Sequence, residues 1–142
     1  MRGVSAVRVS GFDHVVLRVQ DVERSLAWYT ERLGLVGERV EEWRRGEVLF
    51  PSLRIDATAL IDLLPVDGSQ VPDDDRRNVD HFCLVVDPVD LEALRDSGDL
   101  DVVGGPARLY GARGDGWGLY VRDPDGNVVE LRHYAEEHPP AQ

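Results

Sequence analysis

The sequence predicts an α+β fold in which two βαβββ modules pair to form an open, incompletely closed β-barrel cleft. Three observations predict it. The chain repeats itself at an offset of 67 residues: Asp13-His14 recurs as Asp80-His81, and Leu17, Val19 and Val22 recur as Leu84, Val86 and Val89. The end of each repeat matches too, Leu60-Ile61-Asp62-Leu63 against Val128-Val129-Glu130-Leu131. Each half opens with a β-rich strand pattern and passes directly into a helical one, as a supersecondary unit used twice would do. The length suits this reading, because 142 residues make one ordinary domain that can bury its own core.

The elements follow in order. Residues 12–19 read as a strand. Val22, Leu26, Tyr29 and Leu33 then fall on one helical face over 22–33, with Asp21 as N-cap and Gly34 as the stop. Strands are expected near 37–43, 46–50 and 55–65. Residues 67–78, DGSQVPDDDRRN, hold turn formers, a proline and an acidic run, and read as the linker between modules 11–66 and 79–134 of a single domain, 11–142. In the second module, 80–86 is a strand, Asp87-Pro88 opens a helix and Gly98 ends it. Strands follow near 101–103, 117–122 and 127–134, the last two joined by a turn at Asp123-Pro124-Asp125-Gly126-Asn127.

Composition narrows the function. The net charge is −11 and every one of the 16 cations is Arg, which argues against nucleic acid as a partner and removes the P-loop, whose motif needs Lys. One cysteine, Cys83, allows no disulfide within the chain and no thiolate zinc cluster. No apolar run approaches the ~18 residues that span a bilayer, and the first residues carry no signal-like core. The expectation is a cytoplasmic domain that binds neither membrane nor nucleic acid.

Strand parity selects the chemistry. His14, Val16 and Arg18 share one face of the first strand, and His81, Cys83 and Val85 share the matching face in the second module. Leu60, Asp62 and Leu64 share a face, as do Val128, Glu130 and Arg132. Pairing the modules would bring two histidines and two carboxylates to one apolar cleft. Imidazole and carboxylate ligands suit Zn, Ni, Co, Mn or Fe(II). A carboxylate ending an apolar strand, as Glu130 does, needs a cation or hydrogen-bond donors to offset its burial. His133 has the opposite parity and faces away, and His138 lies in a proline-rich tail.

Phe12-Asp13-His14-Val15-Val16-Leu17-Arg18-Val19, the helix with Trp28-Tyr29, Leu33-Gly34-Leu35 and the ending Tyr120-Val121-Arg122-Asp123-Pro124-Asp125-Gly126-Asn127-Val128-Val129-Glu130-Leu131 together resemble the vicinal oxygen chelate superfamily. That superfamily includes glyoxalase I, extradiol dioxygenases and bleomycin-binding proteins. The stretch from Gly105-Pro106 to Arg113-Gly114 is further similar to the glyoxalase-domain-containing protein 5 subgroup. The resemblance implies a divalent metal held by His14, Asp62, His81 and Glu130, where Asp62 stands in place of the more usual Glu, Gln or His. It implies a small-molecule substrate with adjacent oxygens, lyase or isomerase chemistry with Glu130 and Asp62 as ligand and proton shuttle, and a homodimer. Tyr120 matches the position of an active-site Tyr of the dioxygenases, and Arg18 and Arg113 are the cations available to an anionic substrate group. The alternatives are a ring-cleaving extradiol dioxygenase and a non-catalytic, bleomycin-resistance-type binder of a drug or natural product.

Overall fold

The structure, a computed structural model, describes residues 11–67, 77 and 79–135. In chain order its elements are β1 (His14–Val19), α1 (Val22–Leu33), β2 (Val36–Glu38), α2 (Val40–Arg44), β3 (Ser52–Asp56) and β4 (Ala59–Pro65). The second half contributes β5 (Phe82–Val85), α3 (Leu91–Asp96), β6 (Asp101–Gly111), β7 (Gly114–Arg122) and β8 (Val128–His133). Among the described residues these form two four-stranded sheets, ordered β1-β4-β3-β2 and β5-β8-β7-β6. In each sheet the first strand of the half lies parallel to the last, β1 on β4 and β5 on β8, and the other pairs are antiparallel. The two sheets are the paired, unclosed half-barrels that the repeat predicts.

Alternation in β1 separates two faces. Leu17 and Val19 are buried, whereas His14, Val16 and Arg18 are exposed. The buried set joins Leu26, Tyr29, Leu53, Ile61 and Leu63 in one core, and Leu91, Leu119, Val121, Val129 and Leu131 form a second. Trp28, Leu33 and Phe82 pack against both, so α1 lies at the junction of the two cores. No helix of the described residues is long and apolar enough to cross a membrane.

The caps of α1 form as the sequence indicates. The Asp21 side chain accepts from the Arg24 N–H, and Gly34 turns left-handed at φ 73° with its N–H bonded to the Thr30 carbonyl. A Cβ at Gly34 would meet no neighbour within 4 Å, so backbone conformation alone demands glycine there. Gly34→Val is therefore expected to cost about 1–2 kcal/mol and Gly34→Asn distinctly less, as read by urea denaturation.

Two segments depart from the expected pattern. The strands expected near 37–43 and 46–50 are replaced by a three-residue β2, the short helix α2 and a turn. Glu41 and Glu42 sit in the first turn of α2 and Arg44 in its last, Val40 and Trp43 face the core at helical spacing, and Gly46 takes φ 77°. The strand expected over 55–65 is instead the β3–β4 hairpin, broken at Gly-free residues 57–58 where Asp56 accepts from the Thr58 N–H and hydroxyl. In the second half the helix starts later, with Asp90 and not Asp87 as N-cap, because the Asp90 carboxylate accepts from the Ala93 N–H. Strands β6 and β7 are much longer than 101–103 and 117–122, since glycines that read as loop lie in a paired hairpin, Gly111 opposite Gly114 and Gly116 opposite Leu109. Most of the linker 67–78, and His138, lie outside the described residues.

Candidate functional site

One face of each sheet carries a part-exposed histidine and a buried carboxylate. In the first half, register places Val16 beside Asp62 on the neighbouring parallel strand, with Ser52 across from Asp62 on the other side. His14 Nε2 then faces Asp62 Oδ2 at 3.9 Å, while Asp62 Oδ1 accepts from the Ser52 hydroxyl at 2.6 Å. In the second half, Glu130 lies between Cys83 on β5 and Tyr120 on β7. His81 Nε2 faces Glu130 Oε1 at 3.8 Å, while Glu130 Oε2 pairs with Arg132 Nε at 2.9 Å and accepts from the Cys83 thiol at 2.9 Å. Each half thus ties down one carboxylate oxygen and aims the other at an imidazole.

The histidines are oriented by their predecessors in sequence. His14 Nδ1 lies 2.7 Å from Asp13 Oδ2, and His81 Nδ1 lies 2.6 Å from Asp80 Oδ2. A carboxylate only accepts, so the ring proton sits on Nδ1 and the neutral ring turns its Nε2 lone pair outward. That lone pair looks at a second acceptor, the carboxylate oxygen of Asp62 or Glu130, across a gap too long for a direct hydrogen bond. Two acceptors face to face call for a donor or a cation between them, a proton, a bridging water or a metal ion. The donor set, imidazole nitrogen plus carboxylate oxygen with an outer carboxylate on the ring, fits a divalent metal.

The structure brings together His14 with Asp62, and His81 with Glu130. It does not gather the four within one chain: among the described residues no group of three or more His, Cys, Asp or Glu is placed to hold a metal ion. Tyr120 stands beside the second pair, its ring edge-on to His81 at 5.2 Å. Loss of water and then the Glu130 carboxylate hold its hydroxyl above the usual range. Arg18 is exposed on the His14 face of β1. Arg113, at the β6–β7 turn, lies with its guanidinium 5.2 Å from the Tyr134 ring. His133 is fully buried on the opposite side, as its parity requires.

A pocket of about 230 Å³ opens against the second pair, lined by His81, Cys83, Glu130, Arg132, Tyr110 and Tyr134 among others. Burial and the hydrogen bond to Glu130 push the Cys83 thiol up to about 12, so it is a protonated donor and not a nucleophile. The roles of Ser52, Arg132 and the two Asp-His pairs are additions to the reading of the sequence. The recurring Asp-His dipeptide was the signal for the ring partners, and Arg132, two residues beyond Glu130 on the same face, was the signal for the ion pair. Ser52 needs the strand register and leaves no trace in the sequence pattern.

The Asp13 hydrogen bond is the largest of the influences that raise the His14 pKa above 6.5, with Asp62 adding to it. A carboxylate favours the imidazolium, so Asp13→Asn is expected to lower the His14 pKa, as read by NMR titration of the ring resonances.

Comparison with known proteins agrees with this architecture. The family model described as the Glyoxalase/Bleomycin resistance protein/Dioxygenase superfamily matches residues 11–131. The chain is 30% identical to glyoxalase domain-containing protein RDO1 of Mycosarcoma maydis, over 90% of this chain and 70% of that protein. It is 26% identical to virulence protein STM3117 of Salmonella typhimurium, over 89% and 85%. A crystal structure of a glyoxalase/dioxygenase from Nostoc punctiforme superposes with a TM-score of 0.72 at 22% identity, covering 94% of this chain and all of the other, and shares the fold. With a match that runs from the strand bearing His14 to the strand bearing Glu130, the chain belongs to the glyoxalase/bleomycin resistance protein/dioxygenase superfamily.

Proposed function

We propose that the protein is a divalent-metal-dependent enzyme of the glyoxalase type, a lyase or isomerase acting on a small molecule with two neighbouring oxygens. The observation that carries this reading is the face-to-face pair of acceptors in each half, His14 Nε2 with Asp62 Oδ2 and His81 Nε2 with Glu130 Oε1. His14, Asp62, His81 and Glu130 would hold the metal, with Zn, Ni, Mn, Co and Fe(II) all suited to such donors. When bound, the cation supplies Lewis-acid stabilisation of negative charge developing on substrate oxygens. Glu130 Oε1 and Asp62 Oδ2 are the groups that hold or move a proton on the substrate, one as ligand and one as shuttle. Tyr120 borders the His81 side of the site, and Arg113 and Arg18 are the cations available to an anionic substrate group.

The four ligands come from two chains in this reading. Each half supplies two donors, too few for a catalytic metal, and each sheet leaves an apolar residue on the same face as its histidine uncovered, Val16 at 45% and Val85 at 53% accessible. A homodimer that lays the His14 face of one chain on the His81 face of its partner covers those residues and completes the set twice.

Elemental analysis of protein purified without chelator or affinity metal tests the reading. The expected result is stoichiometric metal in the wild type and its loss in His81→Ala. A wild type that takes up no metal after loading with Fe, Mn, Ni or Zn overturns it and favours a metal-free binder. Deuterium exchange at the carbon beside a substrate carbonyl is expected of the enzyme, and oxygen uptake with catechols would identify a dioxygenase instead.

A further inference from the structure

Arg132 is 3% exposed and has no freedom to serve solvent. Its Nη2 donates to the Leu109 carbonyl at 2.8 Å and its Nη1 to the Tyr134 hydroxyl at 3.0 Å. Its Nε forms the 2.9 Å ion pair with Glu130 Oε2 without the geometry of a hydrogen bond. The guanidinium lies 5.1 Å from the Tyr134 ring. Strand β6 accommodates it by having no side chain at Gly111, where a Cβ would run into Arg132 Nη1. A planar group fixed at three corners cannot swing, so the oxygen it holds cannot swing either.

We propose that Arg132 is a positioning residue, which ties one oxygen of Glu130 and makes the carboxylate present a single oxygen, Oε1, toward His81. The first half supports this by solving the same problem with different chemistry. The match of Leu60–Leu63 to Val128–Leu131, one residue further apart than the start of the repeat, puts Leu64 at the place of Arg132. There the Ser52 hydroxyl, from a different strand, ties Asp62 Oδ1 and leaves Oδ2 facing His14. The second half uses the guanidinium beside the Cys83 thiol and the first a neutral hydroxyl, and what they share is the outcome, one oxygen held and one presented. The outcome is therefore what the site requires, and the positive charge is incidental to it.

What enters the space beside Oε1 rests on the proposed function, whereas the positioning is a property of the chain alone, and the experiment separates the two. Crystal structures of metal-free wild type, Arg132→Met, Arg132→Lys and Gly111→Ala would be compared, alongside visible spectra after Co²⁺ loading. Gly111→Ala displaces the guanidinium while keeping its charge. In Arg132→Met and Gly111→Ala, Glu130 is expected to leave its orientation toward His81, and Arg132→Lys is expected to restore it in part. Without Arg132, Oε2 keeps only the Cys83 thiol as its donor, so a Glu130 that turns would change how it meets Co²⁺ and with it the visible spectrum. Unmoved Glu130 in both crystal structures, with superimposable Co²⁺ spectra, would overturn the proposal. A wild type that takes up no Co²⁺ counts against the proposed function, and the crystal structures then decide the role of Arg132 by themselves. Should Arg132→Met fail to fold, Gly111→Ala and Arg132→Lys carry the comparison.

Discussion

Asp125→Ala is expected to destabilise the protein by about 2–4 kcal/mol, a fall in melting temperature on the order of 10 °C. The Asp125 side chain is fully buried. It lies in the turn between β7 and β8, yet its partners are in the other half of the chain. It accepts from the Gln20 N–H at 3.1 Å and the Ser25 hydroxyl at 3.3 Å, and Arg24 Nη2 stands 3.5 Å away. Two residues earlier, Asp123 accepts from the Tyr29 hydroxyl at 2.7 Å while taking its own turn's N–H groups at Asp125 and Asn127. Burial and then Asp123 hold the Tyr29 hydroxyl far above its usual range, so it stays a donor. The turn of the second half therefore clamps the first turns of α1, the helix on which both cores close. Alanine at 125 strands the Gln20 N–H and the buried Ser25 hydroxyl without replacing their acceptor. Asp87→Ala, on an exposed carboxylate, is the control and should shift the melting temperature by little. A loss under about 1 kcal/mol at Asp125 would show that the clamp contributes no more than an exposed cap.

The turn illustrates what the sequence can and cannot convey. Asp123-Pro124-Asp125-Gly126-Asn127 is legible as a turn, because Asp and Asn bind the backbone two residues on and Gly takes positive φ. That its carboxylates reach a helix a hundred residues away is not legible, since no local pattern encodes the partner. The same division runs through the site. The Asp-His repeat and strand parity singled out His14, Asp62, His81 and Glu130 for one cleft, whereas their division into His14 with Asp62 and His81 with Glu130 follows from the parallel pairing of β1 with β4 and β5 with β8, which the repeat does not state. The donors that hold the far carboxylate oxygens come from other strands or from a neighbouring position whose side chain could equally face solvent. Residues 39–51 misled for a different reason. Val40, Trp43, Val48, Leu49 and Phe50 carry β-formers, but the charges between them suit a helical turn and Gly46 breaks the ladder. Leu49 is left 82% exposed, so hydrophobicity there does not mark the core.

Mixing two inactive variants should restore metal binding. His14→Ala removes a donor from one half and His81→Ala from the other. If each site joins the first half of one chain to the second half of its partner, a mixed dimer carries both lesions in one site and none in the other. Random assortment of equal amounts after co-refolding then gives intact sites at about one quarter of the wild-type number. If the four donors gathered within a chain, every site in the mixture would still lack one histidine, and the mixture would bind no more metal than either variant alone. The geometry favours the first outcome. His14 and His81 each face one carboxylate through Nε2 across a gap of nearly 4 Å, no group of three or more His, Cys, Asp or Glu among the described residues is placed to hold a metal ion, and Val16 and Val85 beside the pairs are exposed. Metal analysis of the mixture reads the result without a substrate, so the assembly of the site can be decided before its reaction is known. Dilution adds a second readout: a shared site loses its metal as the dimer dissociates, and a site within one chain does not.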